Sequence, residues 1–213
     1  MKTMMLKAAI AGAVVTGTAL AGAAEAATSF TLGSYDVNFN DEDPGLVLNV
    51  KELLPEPASA TLEVGDHVIV DLFKLWTDES AVNRDDKSKK DISVDFDFSA
   101  PEIFAGSVNG ETFGVKGGFL GSYQAGKLTW EGPQQFLFGN GGILEVSLFD
   151  ETFNEGFFFG LTEGKKFGAT VEAKFKLIAE SQDVPEPALM LGLGSVAAAG
   201  FLAGKRSRKE EVA

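Results

Sequence analysis

The chain has no cysteine and only one histidine, His67, among its 213 residues. The first absence excludes disulfides, thiolate metal centres and a cysteine nucleophile. The second excludes a multi-histidine metal site within one chain and leaves little for imidazole acid–base chemistry. Positive charge is scarce as well. Eighteen Lys and Arg stand against 31 Asp and Glu, a formal net charge of −13. Phosphate recognition needs Lys and Arg, so no nucleic-acid partner is expected. No nucleophile-elbow serine motif is present either, since Gly33-Ser34 and Gly121-Ser122 read as turns. The chain is instead rich in Gly (25) and Phe (18), which favours β structure with many tight turns. With 45% hydrophobic and 23% charged residues it has the composition of a folded protein, and its length predicts one domain.

Both ends differ from the middle. Residues 1–26 read as a signal peptide: Lys2 and Lys7 form a positive start, Ala8–Ala24 is uncharged, and Ala24 and Ala26 are the small residues a signal peptidase reads, placing the cut before Ala27. At the other end, Val184-Pro185-Glu186-Pro187 precedes the uncharged run Ala188–Gly204, which the basic cluster Lys205, Arg206, Arg208 and Lys209 follows. The apolar run predicts a transmembrane helix of about 25 Å, marginal against a hydrocarbon core of about 30 Å. Its basic flank would keep residues 210–213 on the cytoplasmic side.

This three-part tail, residues 184–209, resembles a PEP-CTERM sorting domain, found on exported proteins of Gram-negative bacteria. The resemblance implies exosortase as a partner, the inner membrane as a station for the precursor, cleavage near Pro185–Pro187, and a destination at the cell surface or outside the cell in association with exopolysaccharide and biofilm. It implies a surface or matrix protein and not an enzyme. The tripeptide alone is not specific. Pro55-Glu56-Pro57 repeats it, but no long apolar run follows that copy, which reads as a loop.

Residues 27–183 form the acidic middle. Extended to residue 184 it holds 27 acidic and 12 basic residues, a net of −15. Several segments alternate with period two, as half-buried strands do. Ile92, Val94, Phe96 and Phe98 oppose Asp91, Asp95 and Asp97; Val171, Ala173, Phe175 and Leu177 oppose Glu172, Lys174 and Lys176; Leu144, Val146 and Leu148 form a third set. His67–Trp76 is more continuously apolar, as in a central strand. Further strands are expected at Tyr35–Phe39, Leu46–Val50, Ala60–Val64, Gly118–Tyr123, Leu128–Trp130 and Phe136–Phe138, with turns at Asn109-Gly110, Asn140-Gly141-Gly142 and Asn154-Glu155-Gly156. Thr77–Lys90 reads as a long exposed loop. The pattern predicts an all-β fold, an antiparallel β-sandwich of jelly-roll-like or Ig-like kind, between the signal peptide and the transmembrane helix.

Candidate chemistry is sparse. Asp36, Asp41 and Asp43 lie in an oxygen-rich stretch, and Asp85 and Asp86 in a second. Calcium is the ion such loops would take, but the first stretch fails as an EF-hand: its sixth position is Asp41 instead of Gly and its twelfth is Val47 instead of Glu. A solvated acidic loop accounts for both stretches. No other cofactor is expected. Asp95 and Asp97, two residues apart on a strand, share its solvent face and lack a partner carboxylate across a cleft, so the pair does not read as a glycosidase site. Phe157-Phe158-Phe159 cannot all point inward from one strand, which makes them candidates for a carbohydrate or protein contact.

Overall fold

The computed structural model describes residues 27–182 apart from 41, 43, 120, 121 and 159. The predicted signal peptide and sorting tail, with Ala24, Ala26, Val184–Pro187 and the basic cluster, lie outside the described residues, as do Asp41 and Asp43. Among the described residues no helix is long and apolar enough to cross a membrane.

Two curled antiparallel sheets pack face to face as a β-sandwich-like fold. The strands are β1 (Thr28–Phe39), β2 (Asn49–Glu52), β3 (Ala58–Leu62), β4 (His67–Trp76), β5 (Lys90–Ala100), β6 (Phe104–Gly117), β7 (Tyr123–Trp130), β8 (Gln134–Phe138), β9 (Gly142–Leu148), β10 (Glu151–Phe157) and β11 (Ala169–Ala179). One sheet runs β10-β7-β6-β5-β1-β3 and the other β2-β4-β11-β9-β8. Only β5–β6, β6–β7 and β8–β9 are hairpins within a sheet. Every other connection crosses from one sheet to the other.

The alternating segments form the core as their pattern dictates. Ile92, Val94, Phe96 and Phe98 are buried on β5, and Val171, Ala173, Phe175 and Leu177 on β11. Their rings meet between the sheets. Phe96 stands edge-on to Phe175 at 5.7 Å, Phe98 edge-on to Phe136 at 6.4 Å, and Phe98 stacks on Phe104 at 4.5 Å. β4 lies between β2 and β11, and a register shift between Val171 and Glu172 lets the neighbouring Leu72 and Phe73 both be buried.

Four expectations need correction. Gly33-Ser34 is not a turn but lies inside β1, where Ser34 pairs with Asp97 of β5. Asn109-Gly110 is not a turn but the middle of β6, at 14 residues the longest strand. Gly110 is there because Trp130 lies where a side chain would project: a Cβ would meet the Trp130 ring at 2.6 Å. Gly118–Tyr123 is not a strand but holds the β6–β7 turn, and β7 begins at Tyr123. Asn154-Glu155-Gly156 lies inside β10, where the register shifts between Phe153 and Gly156 and Asn154 has φ of 52°. The fully buried Asn154 side chain accepts the Thr77 N–H (2.9 Å) and donates to the Thr162 (2.6 Å) and Gly164 (3.1 Å) carbonyls. A buried amide there satisfies three backbone groups of the segments that follow β4 and β10.

The Thr77–Lys90 segment is also less exposed than its polarity suggests. Thr77, Val82, Asp86 and Lys90 are buried. The Val82 N–H donates to Gln124 Oε1 (2.6 Å), the Leu161 N–H to the Ser80 carbonyl (2.8 Å), and Lys90 Nζ to the Leu46 carbonyl (3.0 Å). Val82 seats on Gly114 of β6, where a Cβ would approach it to 2.8 Å. Polar side chains turned inward onto backbone groups make the segment part of the packed structure.

Candidate functional site

The acidic candidates fall on different parts of the molecule. Asp36 is exposed on β1 and pairs in register with Asp95 of β5, on the outer face of the six-stranded sheet. Asp95 accepts from Asn38 Nδ2 (2.9 Å) and from the Ser107 hydroxyl. Asp91, Asp95 and Asp97 are all exposed on this outer face. Asp85 and Asp86 lie in a single 3-10 turn, the first exposed and the second buried with its Oδ2 accepting the Asn83 N–H (2.5 Å). Among the described residues no three of His, Asp and Glu converge as a metal cage would require. His67 is exposed at the start of β4, across from Lys176.

The aromatic candidates divide. Phe136, Phe138 and Phe153 belong to the core. Phe157 (64% exposed) and Phe158 (79%) stand in solvent, as does Phe119 (85%) between β6 and β7. Phe157 packs on the Tyr123 ring at 5.5 Å, and the Phe158 N–H donates to the Ser122 carbonyl (2.6 Å). Phe159 lies outside the described residues.

Two concavities stand out. A polar hollow of 650 Å³ on the outer face of the six-stranded sheet is lined by Asn38, Asp91, Asn109, Gly110, Glu111 and Glu131, among others. A second, apolar cleft of 390 Å³ opens at one flank of the sandwich, where β3 and β4 run as neighbouring edges of opposite sheets. β3 is the last strand of its sheet, and β2 pairs only with residues 73–76, so the first half of β4 is an edge too. Ala58, Ala60, Val68 and Val70 form the walls, Phe30, Phe98 and Phe175 the floor, and Leu54, Pro55 and Pro57 the roof.

The roof is anchored from below. The Leu53 and Leu54 N–H groups both donate to the Leu72 carbonyl (2.9 and 3.2 Å), which also accepts the Tyr35 hydroxyl (2.5 Å). Glu56 Oε1 accepts the Tyr35 N–H (2.7 Å). Burial, above all, pushes the Tyr35 hydroxyl up to about 12, so it stays a donor at any physiological pH. The Pro55-Glu56-Pro57 copy of the tripeptide is therefore a structural roof over the cleft.

Ser59 contributes the cleft's one hydroxyl residue, and that hydroxyl bonds Thr31 (3.0 Å) on the outer face. The cleft is open at its mouth, and water that enters finds no free side-chain partner inside. Nothing in the residue pattern points directly to this site. Its signal is the pair Ala58 and Ala60 at inward positions of a strand.

No family model, curated protein or solved structure matches this chain.

Proposed function

We propose that the chain is an exported, non-enzymatic surface or extracellular-matrix protein, delivered as a precursor and cut by exosortase near Pro185–Pro187. The observation that carries this reading is the pairing in one chain of an N-terminal signal with the ordered tail of Pro-Glu-Pro, apolar run and basic cluster. The placement of the strands supports it: β1 opens at Thr28, just after the expected cut before Ala27, and β11 closes at Ala179, ahead of Val184. Cutting at both places would leave all eleven strands intact. The −15 net charge of the middle suits a domain that must stay soluble and mutually repelling outside the cell. By the resemblance of the tail, the released domain associates with exopolysaccharide or biofilm.

Intact mass of the mature protein, from a host with and without exosortase, tests the reading. Loss of the C-terminus near Pro185–Pro187 only when exosortase is present is the expected result. Retention of Lys205–Ala213 in the inner membrane under both conditions would make the tail a plain anchor and end the sorting proposal.

The polar hollow favours a second reading, a carbohydrate- or calcium-binding module. Its amides and carboxylates are hydrogen-bonding groups suited to sugar hydroxyls, and its carboxylates, which do not converge as a cage, would need further ligands to hold a cation. Saturable glycan or Ca²⁺ titration that Asp91→Ala weakens would support it, and flat titrations would remove it.

A further inference from the structure

The flank cleft is built in a way the sandwich does not itself require. In register, Ala58 and Ala60 of β3 pair with Leu32 and Phe30 of β1, so both alanines face inward. Opposite them on β4 stand Val68 and Val70, which are only half-buried although they too line the interior. Larger residues at 58 and 60 would close the flank with the chain's own atoms. The walls instead stop short of each other and leave an apolar space that reaches solvent.

The space offers no free polar side chain. Its side chains are hydrocarbon apart from Ser59, whose hydroxyl is engaged outside. Pro55 and Pro57 in the roof have no backbone N–H, and the Leu54 N–H is already bonded to the Leu72 carbonyl. A ligand with buried hydroxyls, amides or charges would leave them unpaired, which binding cannot recover. A hydrocarbon body loses nothing there. At about 30 Å³ for a group the size of a water or a methylene, the 390 Å³ cleft holds roughly a dozen carbons, enough for one chain and too little for two.

The mouth sets the other end of the ligand. Glu56, whose Oε1 accepts the Tyr35 N–H, is exposed between the two roof prolines, and Glu63 is exposed directly after Leu62; neither lines the cleft, but both flank residues that do. With the chain at net −13, both repel an anionic head group and favour a neutral or cationic one.

We propose that the cleft between β3 and β4 binds the alkyl or acyl chain of a free single-chain amphiphile, with an uncharged or cationic head group left outside beside Glu56 and Glu63. The proposal stands on the cleft alone and does not depend on how the chain is exported or cut.

Calorimetric titration of the full chain with dodecyl maltoside, dodecyltrimethylammonium and dodecanoate, all below their micellar concentrations, tests it. Saturable one-site binding of the first two is expected, with dodecanoate weaker by about tenfold or more. Ala60→Trp, which fills the cleft, should weaken maltoside and ammonium binding at least about tenfold and keep a cooperative melt. Ala58→Leu adds less bulk and decides the matter if the tryptophan variant does not fold. The chain ends are the same in every form, so the difference reports the cleft. Equal affinity in wild type and filled variants, or no saturable binding by the wild type, overturns the proposal. Sedimentation of the same proteins covers the competing occupant: a dimer that Ala60→Trp converts to monomer, with amphiphile uptake unaltered, would assign the cleft to a second copy of the chain and overturn it as well.

Discussion

Glu79 is a residue through which pH acts on this fold. It sits in the segment joining β4 to β5, with Oε1 accepting the Val47 N–H (2.8 Å) and Oε2 buried on the side of the Asp86 carboxylate. Burial raises its carboxyl above the ordinary range, and the neighbouring Asp86 and Asp85 carboxylates raise it further against the Val47 bond. The folded chain thus holds this proton more tightly than the unfolded chain does. Stability from this group is complete below the ordinary carboxylate value, about pH 4, and is lost as pH rises through the higher folded value. Glu79→Gln keeps an oxygen for Val47 and removes the charge. Thermal melts should show the variant more stable than wild type at pH 7, with the gap closing below about pH 4. An identical gap at both pH values would mean that charge is not the cause. Nothing in the polar run Thr77–Lys90 marks Glu79 in advance, because its burial depends on where the segment docks against β1–β2 and β6.

Among the elements, β5, β9 and β11 were legible because each faces solvent on one side and the core on the other, so period-two alternation survives. β6 was not. It carries Gly106, Gly110 and Gly114, and the Asn109-Gly110 pair at its centre reads as a tight turn. The structure gives them another task. A Cβ at Gly106 would meet the Phe136 ring at 2.5 Å, and one at Gly126 of β7 would meet the Phe153 ring at 2.3 Å. Glycine in these strands makes room for the large aromatics of the neighbouring strand or facing sheet. Abundant Gly and abundant Phe are thus one packing arrangement, which composition alone reads as turn content. Phe153 is 1% exposed and has no open side to retreat to. Gly126→Ala should therefore cost about 1–3 kcal/mol by denaturant unfolding, and a second change, Phe153→Leu, should recover part of it. Gly117→Ala is the control: no atom lies within 4 Å of its added Cβ, so its effect should stay within about 0.5 kcal/mol. Equal losses at the two sites would show that backbone freedom, not ring contact, sets the need for glycine.

For the whole molecule, sequence reading reached the two-sheet architecture and the sign of the charge but not the flank cleft. A cleft between edges depends on which strands end up last in their sheets, and strand order is a property of long-range pairing that local periodicity does not carry. The charge has its own consequence. Asp36, Asp91, Asp95 and Asp97 crowd one outer face, and among the described residues the ion pair of Lys89 with Glu111 is the one formed between side chains. Most of the −15 in the middle is therefore uncompensated, and self-repulsion in the compact state should weaken the fold at low salt. Raising NaCl from about 0.01 to 0.5 M shortens the Debye length from about 30 Å to well under 10 Å, so the melting temperature should rise steadily over that range. The same experiment separates screening from specific binding. Mg²⁺ and Ca²⁺ at matched ionic strength should produce similar shifts if the acidic faces act only as a diffuse charge. A Ca²⁺ shift that exceeds the Mg²⁺ shift and saturates would instead require a defined site. The polar hollow of Asn38, Asp91, Glu111 and Glu131 would be the place to look, because carboxylates and an amide share one concavity there.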